Sequence, residues 1–164
     1  MISNITSHFR FAIPARIAGL LALLMMTFGS AKAQLVFGTQ SIAFGSLNRA
    51  GRSTVLYSDA GSAQFSVIAR SGKKTRLTVS SASLTRSTRT LPITINTVDC
   101  AFSTDGGTTW TVFSTGTLFH DVTPPNGPFN LGTILVKVGG SVTASSTQQR
   151  GDYSGSVTLT AVYR

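Results

Sequence analysis

From Val157 to Tyr163 every second residue is apolar, with Thr158 and Thr160 between the first three. A period of two belongs to a strand with one buried face. Shorter runs of the same kind recur along the chain, near residues 35–37, 42–47, 54–57, 64–69, 76–80 and 91–98. Others fall near 101–103, 109–113, 132–138, 141–144 and 156–163. Phe65, Val67 and Ala69 share one face of their run; Ile134, Val136 and Val138 do so in theirs, with Lys137 facing out. Turn chemistry separates the runs: Asp59-Ala60-Gly61, Ser71-Gly72-Lys73-Lys74, Asp105-Gly106-Gly107 and Gly139-Gly140, the last expected to close a tight hairpin. Residues 123–128 hold three prolines and read as a rigid loop. No window keeps a helical period. The pattern predicts an all-β, antiparallel sandwich.

The first 33 residues follow a different rule. Arg10 and Arg16 precede an apolar run over residues 17–28, and Ala31-Lys32-Ala33 supplies a small-x-small cleavage pattern. This is the layout of a secretory signal peptide cleaved after Ala33; the apolar run is too short for a membrane span of ~20 residues. The expected mature chain, residues 34–164, is one domain in size, and no later segment is long and apolar enough to span. It has a single cysteine, Cys100, so no internal disulfide is available and a buried thiol is expected. Without the leader, eleven basic residues face five aspartates and no glutamate, a charge of +6.

Candidate chemistry is thin. Ser103-Thr104-Asp105-Gly106-Gly107-Thr108-Thr109-Trp110 fits the Asp-box pattern S-x-D-x-G-x-T-W, read here as a hairpin turn capped by Asp105 and covered by Trp110. His120, the only histidine after residue 33, adjoins Asp121, but neighbours on a strand face opposite ways, so a solvated loop histidine is expected. The aspartates sit at 59, 99, 105, 121 and 152, mostly in apparent turns, and neither they nor Cys100 and His120 form a metal-ligand cluster. No nucleophile, base and orienting group can be assembled. The expectation is a protein without catalysis, cofactor or metal.

Arg70, Lys73, Lys74 and Arg76 crowd one turn and form a candidate anion patch. No aromatic set is interleaved with them, which argues against a nucleic-acid module. Trp110, Phe113 and Phe119 are the candidate contacts if the protein instead holds a glycan or another anion.

Several segments resemble a known family. They are Phe44-Gly45, Ala63-Gln64-Phe65-Ser66-Val67, Leu91-Pro92-Ile93-Thr94-Ile95, the run from Gly132 to Gly140, and the run from Gly151 to Val157. Together they resemble the secreted bacterial domain of unknown function 4402, which is related to spore coat protein U and chaperone–usher pilins. The resemblance implies an immunoglobulin-like, pilin-like sandwich. It also implies a surface fibre or coat subunit that meets a second copy, or a periplasmic chaperone, by strand addition. Pilins carry a penultimate aromatic residue and a glycine fourteen positions from the end; Tyr163 and Gly151 stand there in this chain.

On that reading the assembly strand is Gly151, Val157, Leu159, Ala161 and Tyr163, and the amino-terminal pairing segment is Leu35, Phe37, Ile42 and Phe44. Residues 34–41 either donate to a neighbour or complete their own sandwich, and the sequence leaves both open. Location at the cell surface or in the periplasm follows from the leader.

Overall fold

The structure is a computed structural model that describes residues 34–164 except 46, 48, 81, 82, 87, 88, 115, 149–152, 154 and 155. The expected signal peptide and Gly151 lie outside the described residues. Twelve strands run through the described part: β1 (Leu35–Gln40), β2 (Arg52–Val55), β3 (Ala63–Arg70), β4 (Thr75–Ser80), β5 (Ser83–Arg86) and β6 (Arg89–Thr94), then β7 (Cys100–Ser103), β8 (Thr111–Val112), β9 (Phe119–Val122), β10 (Leu131–Val138), β11 (Gly140–Thr143) and β12 (Thr158–Tyr163). Thr97–Asp99 and Pro128–Asn130 form short 3-10 turns. No helix among the described residues is long and apolar enough to cross a membrane.

The strands form three antiparallel sheets, ordered β1-β3-β10-β7-β8, β2-β11-β6-β5 and β12-β4-β9. None closes into a barrel, and the arrangement is that of a β-sandwich. Its centre is the long pairing of β3 with β10, in register from Leu131 opposite Arg70 to Val138 opposite Ala63. That register places Val67 beside Ile134 and Phe65 beside Val136, so the two alternating patterns reinforce one buried face. Leu77 and Val79 of β4, Leu84 of β5, Leu91 and Ile93 of β6, and Leu159 of β12 join the same apolar cluster. Each such side chain, taken from water, contributes about 1.5–3 kcal/mol before ordering costs.

Several expectations need correction. Of the strand expected at 42–47, the described residues 42–45 and 47 are not in a strand: Gly45 takes φ +69°, which breaks the extended run. Ile42 and Phe44 therefore pair with no strand; they are half-buried and pack against the core, with Ala43 N–H donating to Gly61 C=O at 2.9 Å. Gly139-Gly140 closes no hairpin. The chain passes there from β10 in one sheet to β11 in another, and β11 pairs with β2 and β6. Two strands escaped the pattern, β5 and β9, because SLTR and FHDV carry too few apolar residues to show a period. The last part of the expected strand at 91–98 is the 3-10 turn, capped by Asp99, whose carboxylate accepts from Asn96 N–H at 2.9 Å.

Candidate functional site

The two terminal strands lie along one side of the sandwich, each at the border of its sheet. Among the described residues β12 pairs only with β4, and β1 only with β3. They run side by side in opposite directions. Near one end Gln34 Nε2 reaches Thr75 Oγ1 at 3.4 Å. At the other, residues Gly38 to Ile42 and Ser156-Val157 line a cavity of about 260 Å³, floored by Ala63 and Phe65.

Hydrogen-bond phase fixes which main-chain groups face outward. Arg164 N–H donates to Lys74 C=O at 2.9 Å, and bonded pairs alternate along an antiparallel ladder. Thr158, Thr160 and Val162 therefore bond to β4, and Leu159, Ala161 and Tyr163 turn their N–H and C=O away from it. On the other border, Ser71 N–H donates to Asn130 C=O at 2.8 Å, which sets β3 so that Leu35 and Phe37 bond to it and Val36 and Gly38 face out.

All six residues of β1 are exposed, so the strand is held by its ladder and by Gln40, whose side-chain amide donates to Ala60 and Ser62 carbonyls. An amide before a serine carries no signal in sequence, so the role of Gln40 is legible only in the structure. Tyr163 uses its hydroxyl inside the molecule, accepting from Arg70 N–H at 2.8 Å. Leu159 is buried, and Val157 and Ala161 pack half-buried on the core.

The expected anion patch is partly neutralised. Arg76 forms a two-pronged bond with Asp121, Nε to Oδ1 at 2.6 Å and Nη2 to Oδ2 at 2.9 Å, and lies over the Phe119 ring. Lys74 Nζ stands 3.8 Å from the same carboxylate. Asp121 is 45 positions from Arg76, so their pairing across β4 and β9 is invisible in sequence. Arg70 and Lys73 form no ion pair among the described residues.

His120 is not a solvated loop residue. It sits on β9 opposite Leu77, its ring 4.6 Å from that of Phe102 and 5.8 Å from Phe113, with Ser114 Oγ 3.2 Å from Nδ1. Asp121 points to the other face, bound to Arg76, so serine, histidine and aspartate do not line up as a relay.

The Asp box is formed as expected. Asp105 accepts from Thr109 N–H, Thr109 Oγ1 and Ser103 Oγ, and Trp110 Nε1 donates to Gly107 C=O at 3.0 Å. Lys137 covers the Trp110 ring at 4.7 Å, Phe113 is buried, and Phe119 lies under Arg76. The three candidate glycan contacts are thus engaged separately and form no platform. Cys100 is fully buried, and burial beside Asp99 pushes its thiol up to about 12, which leaves it unreactive while the fold holds.

The shifted groups give a pH signature. Hydrogen bonds from Arg76 hold Asp121 below the ordinary carboxylate value of 3.8, and bonds from Thr109 and Ser103 do the same for Asp105. Burial lowers His120 from its usual 6.5. All three bind protons more readily unfolded than folded, so stability falls as pH falls. Thermal melts should lose Tm first below about pH 6.5 and again below about pH 4, and His120→Gln should remove only the first loss.

The profile of the family described as Domain of unknown function (DUF4402) matches residues 24–163. The chain belongs to the DUF4402 family. No curated protein and no solved structure gives a significant match. The DUF4402 match spans both terminal strands, the Asp box and the basic turn, so every feature described above lies within the family's domain.

Proposed function

We propose that this DUF4402 chain is a secreted, non-catalytic structural protein, a subunit of a surface fibre or coat assembled by β-strand pairing. One observation carries the reading: β1 and β12 are neighbouring border strands whose outer main-chain groups face away from the sheets they belong to. Sheet borders with apolar side chains are templates for another chain, and protein folds ordinarily blunt them with charge or proline. Here β1 carries Leu35, Val36 and Phe37, and β12 carries Leu159, Ala161 and Val162, with no charge in either strand.

The likeness to immunoglobulin-like pilins and spore coat protein U supports the same reading. Strand addition supplies main-chain bonds for affinity, and the 260 Å³ recess beside Gly38 and Val157 suits an alternate side chain of the incoming strand. A periplasmic chaperone would protect the same border before assembly.

The test is the size of the protein of residues 34–164 and its resistance to heat. The expected result is a ladder of oligomers that survives mild heating in detergent. A monomer at every concentration, with no carrier protein bound, would remove the proposal.

A further inference from the structure

We infer that the end of the sandwich bearing Phe129 is a docking site for an anionic lipid bilayer. Phe129 is 96 % exposed, although it stands in a loop with little freedom. Pro124, Pro125 and Pro128 stiffen that loop, and three bonds tie it to the basic turn. Ser71 N–H donates to Asn130 C=O at 2.8 Å, Gly72 N–H to Pro124 C=O at 3.3 Å, and Gly127 N–H to Ser71 Oγ at 3.3 Å. Phe129 and Asn130 both adopt left-handed backbone, with φ +57° and +58°. Two successive non-glycine residues take that conformation at a cost, and strain of this kind gathers at sites that bind. The outcome is an aromatic ring fixed outside the molecule.

The sheet that the loop leads into is apolar on its outer face, and the turn bonded to the loop is cationic. Leu131 lies opposite Arg70, Leu35 opposite Ile68 and Phe37 opposite Ser66, and paired residues share a face. Since Val67 and Ala69 point inward, Leu35, Phe37, Ile68, Arg70 and Leu131 all lie on the outer face of that sheet. Leu35, Phe37 and Leu131 are 51 %, 48 % and 41 % exposed there. Arg70, Lys73 and Lys74 edge this apolar field at the turn bonded to the Phe129 loop, and Asp121 is the carboxylate paired within that basic cluster. Apolar and aromatic side chains bordered by lysine and arginine match the layers of a bilayer surface, with acyl boundary inside and phosphates at the rim. A second copy fits less well, because a two-fold contact through this face would gather two copies of the cationic cluster of Arg70, Lys73 and Lys74 in one interface.

The test is co-sedimentation of the purified protein with phosphatidylglycerol-rich vesicles and with neutral phosphatidylcholine vesicles. The protein should pellet with the first and stay in solution with the second. Phe129→Ala should weaken partition about tenfold, and Lys73→Glu should do so by about tenfold or more at low salt. Both residues are exposed, so neither change threatens the fold. Phe129→Trp should give a blue-shifted emission on anionic vesicles alone. Equal binding to neutral vesicles, no binding, or an unchanged Phe129→Ala variant overturns the proposal. So does full competition by soluble dextran sulfate with no dependence on Phe129, which would make the site one for dissolved polyanions. Neither substitution alters the outward main chain of β1 or β12, so failure here leaves strand assembly standing, and the reverse also holds.

Discussion

Gly139→Ala is expected to destabilise the fold more than any other exchange of a single glycine for alanine at a sheet crossover would. A Cβ at this position would stand 2.1 Å from Val55 O, 2.8 Å from Leu56 C and 3.0 Å from Tyr57 N, all main-chain atoms that cannot swing aside. Gly139 N–H also donates to Asp99 C=O at 2.7 Å, so the residue cannot retreat without losing a buried bond. It sits where the chain leaves β10 for β11 and moves between sheets, so a shift there disturbs both at once. The cost should reach about 3 kcal/mol or more, which lowers Tm by roughly 10 °C or empties the soluble fraction. Gly72→Ala is the matched control: its φ is +71° but its Cβ meets open space, so about 1 kcal/mol is expected. Urea melts of the two variants check the contrast, and equal stabilities would refute it.

Deleting residues 34–41 should separate assembly from folding. β1 buries none of its side chains, so its loss removes one ladder and the Gln40 bonds but leaves the core intact. Loss of that ladder should lower stability by about 2 kcal/mol, far less than a core cavity of several methylenes. Oligomers should disappear, because the outward groups of β12 then lack the apolar strand that answers them. Far-ultraviolet circular dichroism reports the fold, and light scattering reports the size. A deletion variant that remains folded and still forms the full ladder of oligomers would contradict the assembly role of β1.

Periodicity revealed the strands that carry the core. Ala63–Arg70, Leu131–Val138 and Thr158–Tyr163 all show the alternation that their burial reproduces. The Asp box was legible residue by residue because its bonds are local, spanning no more than four positions from Asp105. Glycine is the ambiguous residue in this sequence. It marks turns and it marks close approach, and Gly139 serves the second purpose in a dipeptide that reads as the first. Ile42 and Phe44 alternate like strand residues, but the single positive φ at Gly45 turns them into loop anchors.

The candidate site was half visible. The terminal strands could be located in sequence, but their place at the sheet borders depends on which strands pair, and that is set by contacts far apart in the chain. Arg76 and Asp121 show the same limit, since only the register of β4 and β9 brings them together. Phe129 carries no signal in sequence, since nothing in its neighbours announces a left-handed backbone.

Amide hydrogen exchange at Leu159 and Ala161 tests strand pairing most directly, because their N–H groups face the border that a second chain must cover. Thr158, Thr160 and Val162, bonded to β4, should be protected in monomer and assembly alike. In the assembled protein the amides of Leu159 and Ala161 should slow by about tenfold or more relative to the folded deletion variant. If these two amides exchange equally fast in both forms, no partner strand lies against β12 and the assembly account fails.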